Sequence, residues 1–266
     1  MRRVLPDVTE GVRKNAVPCT LSAIPNSHKD TNLRTAAVIP AAGRGVRLGP
    51  GAPKALRTLG GVPILVHAVR AMARARAVQV IVVVAPPDGT AEVRALLDAH
   101  GLPESTDIRV VPGGEVRQDS VRLGLAALPE DVDVVLVHDA ARPLVPVETV
   151  EAVVEAVRGG ALAVVPGLPL ADTVKSVDPD TGVVTGTPQR ALLRAVQTPQ
   201  GFDRATLAKA HATVSHDVTD DASMVEHLGV PVLIVPGHEE AFKVTRPLDL
   251  VLAEAVLARR RAAGEL

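Results

Sequence analysis

The chain has 266 residues and a net charge of −1, with 47% hydrophobic and 22% charged residues. That balance provides no broad positive field for nucleic acid or an anionic membrane, so neither is an expected partner. Trp and Tyr are absent and only Phe202 and Phe242 are aromatic, which leaves no base-stacking platform and a core built from Val, Leu, Ala and Ile.

Residues 1–34 are mixed polar, with Pro6, Pro18 and Pro25 and no sustained periodicity. They read as a flexible N-terminal extension, or as residues upstream of the true start. They contain no apolar segment of signal-peptide length, and the chain nowhere has a run of 18 apolar residues. The expectation is a cytoplasmic protein without a membrane span. The single Cys19 excludes an internal disulfide and a cysteine metal cluster.

From residue 35 strands and helices alternate. "TAAVIPAA" reads as a buried strand and "PILVHAVRAMARA" has helical spacing. "VQVIVVVAP" is a strand, and "DGTAEVRALLDAHG" a helix with an Asp88 cap and a Gly101 stop. "IRVVPGG" is a strand, "RQDSVRLGLAAL" a helix, and "VDVVLVHDAARP" a fourth strand with polar residues at its end. "VETVEAVVEAVRGG" is a helix and "ALAVVPG" a strand. Val-rich strands alternating with helices predict an α/β parallel sheet covered on both faces.

The alternation breaks at "ADTVKSVDPDTGVVTGTPQR", where polar and apolar residues alternate around "DPDTG". This is a hairpin signature and predicts an inserted β-arm at about 171–188. Because exposed strand edges invite association, the expected assembly is a homodimer in which the arm reaches across. Helix–strand alternation returns in "DRATLAKAHATV", "DDASMVEHLG", "VPVLIVPG" and "PLDLVLAEAVLARRRA". The final "ARRRA" reads as a solvated last turn complementing the helix dipole. Residues 35–266 thus form one domain carrying the arm.

The loop "AAGRGVRLGPGAPKAL" follows the first strand. As a Walker A loop it fails, because Lys54 lies between Pro53 and Ala55, without the Gly-Lys pair or the following hydroxyl. As a dinucleotide loop it also fails. Gly43 and Gly45 fit, but Leu48 takes the third glycine position, and Pro50 and Pro53 prevent an immediate helix. A long irregular loop with Arg47 and Lys54 remains. Its glycines admit a polyphosphate to the backbone, and its cations suit nucleotidyl transfer, which works by positioning and charge stabilisation. An ordinary glycine-rich turn with solvated cations is the plain alternative.

At the end of the fourth strand, Asp139 suits Mg²⁺ through carboxylate oxygen, with Arg142 beside it and Pro143 stiffening the turn. A structural Asp–Arg pair is the alternative there. His138 reads as a packing histidine pointing away from Asp139.

Taken in order, "AAGRGVRLGPGAPKAL", "GGEVRQDSV", "VHDAARP", "ADTVKSV", "AVQTPQGF", "VTDDASMVE" and "KVTRPLDLVLAE" resemble the 2-C-methyl-D-erythritol 4-phosphate cytidylyltransferase family over about residues 35–260. The resemblance implies a Rossmann-like, mostly parallel α/β fold and transfer of CMP from CTP to 2-C-methyl-D-erythritol 4-phosphate, giving 4-diphosphocytidyl-2-C-methyl-D-erythritol and pyrophosphate, in the non-mevalonate route to isoprenoids. It implies that Arg47 and Lys54 are catalytic, contacting the triphosphate and stabilising the pentacoordinate α-phosphorus. Ala41, Ala42, Gly43, Gly114 and Ser120 would form the cytosine pocket, with Glu115 where some relatives carry Asp. Asp139 would hold Mg²⁺ near the acceptor. Arg142, Thr173, Arg190, Thr219 and Lys243 would contact the sugar phosphate, with Arg190 and Lys243 also placed among the catalytic residues. Thr173 and Arg190, being on or next to the arm, would serve the partner subunit's site. Two plain readings remain: a helix-turn hydroxyl for Ser120, and a helix N-cap for Thr219. Rival functions are a cytidylyltransferase for a pentitol phosphate such as ribitol 5-phosphate, or a non-catalytic nucleotide-binding protein.

Overall fold

The computed structural model describes residues 33–43, 56–103, 105–214 and 218–265. The expected N-terminal extension lies almost wholly outside the described residues, as do Arg47 and Lys54.

The apolar runs form the strands β1 (Arg34–Pro40), β4 (Val78–Ala85), β5 (Asp107–Pro112) and β6 (Val132–Val137), after a short ribbon of β2 (Thr58–Leu59) and β3 (Val62–Pro63). Further along come β7 (Ala163–Pro169), the hairpin β8 (Ser176–Val177) and β9 (Val184–Gly186), then β10 (Arg194–Val196), β11 (Gln200–Asp203) and β12 (Leu233–Pro236). The main sheet runs β10-β7-β11-β6-β1-β4-β5, with β12 also paired to β7. The pairs β1–β4, β1–β6, β4–β5 and β7–β12 are parallel. β11 is antiparallel to both β6 and β7, so it separates two strands that simple alternation would place side by side.

The helices are α1 (Ile64–Arg74), α2 (Thr90–Asp98), α3 (Arg117–Ala126), α4 (Val147–Arg158), α5 (Arg204–Thr213), α6 (Asp221–His227) and α7 (Pro247–Ala263). Period-two alternation along β1 divides the core in two. Ala37 and Ile39 face Leu65, Val69 and Met72 of α1 and Val150 and Val153 of α4. Ala36 and Val38 face Val121 of α3, Leu207 of α5 and Met224 of α6. The central strands β1, β4 and β6 are therefore buried on both faces, which accounts for their reading as continuous Val-rich runs. Gly124 permits the close seating of α3, since a Cβ there would lie 2.5 Å from Val38 Cγ1. A smaller cluster of Leu59, Ile64, Leu144, Val244, Ala253 and Leu257 fixes α7 against the β2–β3 ribbon.

Three sequence expectations need correction. Asp88 does not cap α2: a turn closed by Gly89 N–H to Pro86 O at 2.9 Å contains it, and Gly89 occupies the cap position. Thr219 does not cap α6. Asp220 does, accepting from Ser223 N–H at 2.9 Å. "ARRRA" is not a uniformly solvated turn either, because the Arg260 side chain is only 11% exposed. Its guanidinium donates to Leu144 O at 2.7 Å and pairs with Glu240. The arm turn matches its chemistry: Asp178 accepts from the N–H groups of Asp180 and Thr181 at 3.0 and 2.9 Å, and Gly182 takes φ 70°.

Candidate active site

Two cavities meet at the carboxyl ends of β1 and β6. The first, about 250 Å³, is lined by Pro40–Gly43, Gly114–Arg117, Ser120, Asp139–Ala141 and Lys243. All five residues expected around the base lie on its wall. Gly114 is required by space, because a Cβ there would sit 2.4 Å from Asp119 Cβ at the start of α3. Ser120 is 2% exposed, and its hydroxyl accepts from Gly114 N–H and donates to Val116 O, both at 3.2 Å. The hydroxyl therefore holds the turn into α3, as the plain reading had it, while the pocket wall it supports presents backbone groups.

The second cavity, about 230 Å³, is lined by Arg117, Asp139, Arg142, Val196–Thr198, Gln200, Thr219, Asp220 and Lys243. Arg117, Asp139 and Lys243 belong to both cavities. Thr219 reaches this wall with its hydroxyl 3.2 Å from Ser223 Oγ.

Asp139 is the centre of charge. Lys243 Nζ stands 2.8 Å from its Oδ2, Arg142 Nε 3.6 Å from the same oxygen, and Arg117 Nε 3.7 Å from Oδ1. Burial alone would push this carboxyl up, but Lys243, Arg117 and Arg142 outweigh burial and hold it at about 2. It is a permanent anion at neutral pH. Arg142 is also anchored, donating from Nη1 to Ala241 O at 2.7 Å.

β6 ends at Val137, so residues 138–142 form a turn rather than continuing the strand. His138 is fully buried, as expected of a packing residue, but it also orders this turn. Asp139 N–H donates to Thr198 Oγ1 at 3.1 Å. Since that N–H can only donate, the hydroxyl turns its own proton to His138 Nδ1, also at 3.1 Å. His138 Nε2–H then donates to Arg142 O at 3.1 Å. Burial first, with Arg142 adding to it, pushes this imidazole down to about 4 despite Asp139, so it is neutral under ordinary conditions. Thr198 and Gln200, both from "VQTPQGF", were not singled out by sequence. Gln200 ties β11 to α6 through Asp220 Oδ2 at 2.7 Å and Ala222 N–H at 3.2 Å.

Thr173 and Arg190 are not brought to this centre. Thr173 is exposed on the arm, and Arg190 is exposed in a short helical turn, where its Nη1 donates to Ala171 O. Neither lines either cavity. Among the described residues, no group of three or more His, Cys, Asp or Glu side chains is placed to hold a metal ion. The donor set still fits Mg²⁺, which is commonly held by one or two carboxylates together with substrate phosphates. Asp139 provides one ionised carboxylate facing both cavities. Among the described residues no helix is long and apolar enough to cross a membrane.

A model of the family described as "IspD: 2-C-methyl-D-erythritol 4-phosphate cytidylyltransferase" matches residues 35–259. The 2-C-methyl-D-erythritol 4-phosphate cytidylyltransferase of Streptomyces avermitilis is 76% identical over 236 residues, covering 87% of this chain and 94% of that one. Its counterpart in Streptomyces coelicolor is 75% identical over 233 residues, covering 86% of each. The crystal structure of the Thermus thermophilus enzyme of that name superposes with TM-score 0.67 at 35% identity, over 85% of this chain and 100% of that one. With the family match extending from β1 through most of α7, and with identity this high over nearly the whole of the relatives, the chain belongs to the 2-C-methyl-D-erythritol 4-phosphate cytidylyltransferase family.

Proposed function

We propose that this protein transfers CMP from CTP to 2-C-methyl-D-erythritol 4-phosphate, giving 4-diphosphocytidyl-2-C-methyl-D-erythritol and pyrophosphate. The observation that carries the reading is the junction of two cavities at Asp139 and Lys243. Such a junction suits a reaction that joins two phosphates, one from each side.

The cavity bounded by Ala41–Gly43, Gly114 and Ser120 takes the cytidine end, and the cavity reaching Arg142 and Thr219 takes the acceptor. An acceptor phosphate oxygen, already anionic, forms a bond to the α-phosphorus of CTP as the bond to pyrophosphate breaks. No general base is required. The task is to gather several negative charges and align them. Lys243 and Arg142 offset charge on the acceptor side, and Arg47 and Lys54 act on the triphosphate. Mg²⁺, held by Asp139 and substrate oxygens, would neutralise part of the phosphate charge. Asp139, ionised throughout the physiological range, keeps Lys243 aimed into the junction until substrate arrives.

The homodimer belongs to this proposal. The arm and its neighbouring edge expose apolar surface: Val183 is 62% and Leu192 77% exposed, and Ile234 of β12 is 42% exposed. A second copy covering that surface would carry Thr173 and Arg190 towards its own partner's acceptor cavity. Arg190 suits the role, because a planar fork binds phosphate in bidentate fashion. The test is pyrophosphate release from CTP with Mg²⁺ and 2-C-methyl-D-erythritol 4-phosphate. Absence of turnover would overturn the proposal.

A further inference from the structure

The acidic pair in "VTDDASMVE" has two separate uses. Asp220 caps α6 and receives Gln200. Asp221 faces inward, is 1% exposed, and meets two cationic or donor groups from different elements. His211 of α5, itself nearly buried, lies with Nε2 3.0 Å from Asp221 Oδ1. Arg117, the first residue of α3, lies with Nη1 2.7 Å from Asp221 Oδ2. The same guanidinium reaches Asp139 on its other side, with Nε 3.7 Å from Oδ1. A chain of charge therefore runs from α5 through α6 and α3 to the end of β6.

A buried ion pair is often matched or exceeded in stability by apolar side chains of similar volume, so stability alone is a weak account of this one. A fuller account lies at the guanidinium's exposed side. The Arg117 side chain is 36% exposed and lines both cavities where they meet. Lys243, the other cation common to both, has its one ion pair among the described residues with Asp139. An incoming phosphate competes for Lys243, whereas Arg117 keeps Asp221 whatever happens at Asp139.

We propose that Arg117 is a positioning residue for the transfer reaction. The buried Asp221–His211 pair holds its guanidinium at the junction of the two cavities, where it sets the direction of the Asp139 carboxylate while Lys243 turns to substrate. The inference rests on the reading of the site as a cytidylyl-transfer centre.

The test compares full-length wild type with Arg117→Gln, Arg117→Lys, Asp221→Asn and the double variant Arg117→Gln/Asp221→Asn, using CTP, Mg²⁺ and 2-C-methyl-D-erythritol 4-phosphate. Arg117→Gln is expected to lower kcat about 10- to 100-fold, the usual cost of losing an outer-shell partner of a metal-binding carboxylate. CTP affinity by calorimetric titration should stay within about threefold, because Arg117 lies where the two cavities join while Ala41–Gly43, Gly114 and Ser120, which bound the cytidine end, are unchanged. The Mg²⁺ concentration for half-maximal rate should rise. Arg117→Lys should recover part of kcat. The double variant should be no slower than the slower single, since both break one chain. A kcat for Arg117→Gln within about twofold of wild type, or losses that multiply in the double variant, would overturn the inference. If Asp221→Asn fails to melt cooperatively, the two Arg117 variants decide alone. An inactive wild type would instead sink the proposed function itself.

Discussion

Asp139→Asn removes the anion around which Arg117, Arg142 and Lys243 are gathered, while keeping the side-chain shape. In the folded protein this carboxyl is held at about 2 against an ordinary value of 3.8. At about 1.36 kcal/mol per pH unit, that depression corresponds to about 2.5 kcal/mol of stability. Because the folded value lies below the unfolded one, the contribution is fully present above about pH 4–5 and is lost as pH falls towards 2. About half should remain at pH 3. The chain lacks Trp and Tyr, so the assay is denaturant unfolding followed by far-ultraviolet circular dichroism, with chelator present to exclude divalent metal. Wild type should exceed Asp139→Asn by about 2–3 kcal/mol at pH 7, with the gap narrowing on acidification and unchanged m-values. Equal stability at pH 7, or a gap that does not change between pH 7 and pH 3, would refute the view that the three cations outweigh burial here.

Three other outcomes are expected. Lys54→Ala should raise the barrier by roughly 3–4 kcal/mol, the scale of losing one oxyanion-type donor, and normal turnover would remove Lys54 from the proposed site. Gly114→Ala places a Cβ 2.4 Å from Asp119 Cβ. The turn into α3 must shift, so calorimetric titration should show CTP binding weakened about tenfold, and unchanged binding would contradict the pocket assignment. Leu192→Asp puts a charge on surface that is 77% exposed in one chain. Sedimentation should show a dimer for wild type and a monomer for the variant, and a monomeric wild type would end the dimer proposal.

The parallel half of the fold was legible because Val-rich runs between helices with amphipathic spacing leave few alternatives. β11 was not, since "QGFD" has four residues, one of them Gly, and no alternating pattern. Its pairing with β6 and β7 is decided by tertiary contacts, including Phe202 buried against α3 and α5 residues. Asp88 misled because an acidic residue just before a helix resembles a cap, while the Pro86–Gly89 turn sets the actual helix start one residue later.

At the site, Asp139, Arg142 and Lys243 were found through strand-end logic and resemblance, and they do converge. Arg117, Thr198, His211 and Asp221 were passed over. Each sits in an unremarkable local pattern and gains meaning only when α3, β11, α5 and α6 meet. The one available signal was a charge inside a helix-facing apolar segment: Asp221 precedes "ASMV", whose Ala222, Met224 and Val225 are buried. Thr173 and Arg190 were named from resemblance, and within this chain they lie exposed on or beside the arm, away from both cavities.

The most direct measurement is identification of the product formed from CTP, Mg²⁺ and each of two acceptors, 2-C-methyl-D-erythritol 4-phosphate and ribitol 5-phosphate, with pyrophosphate counted against it. The account predicts one pyrophosphate per 4-diphosphocytidyl-2-C-methyl-D-erythritol, with the methylerythritol acceptor strongly preferred. Preference for ribitol 5-phosphate, or tight CTP binding without pyrophosphate release from either acceptor, would contradict it.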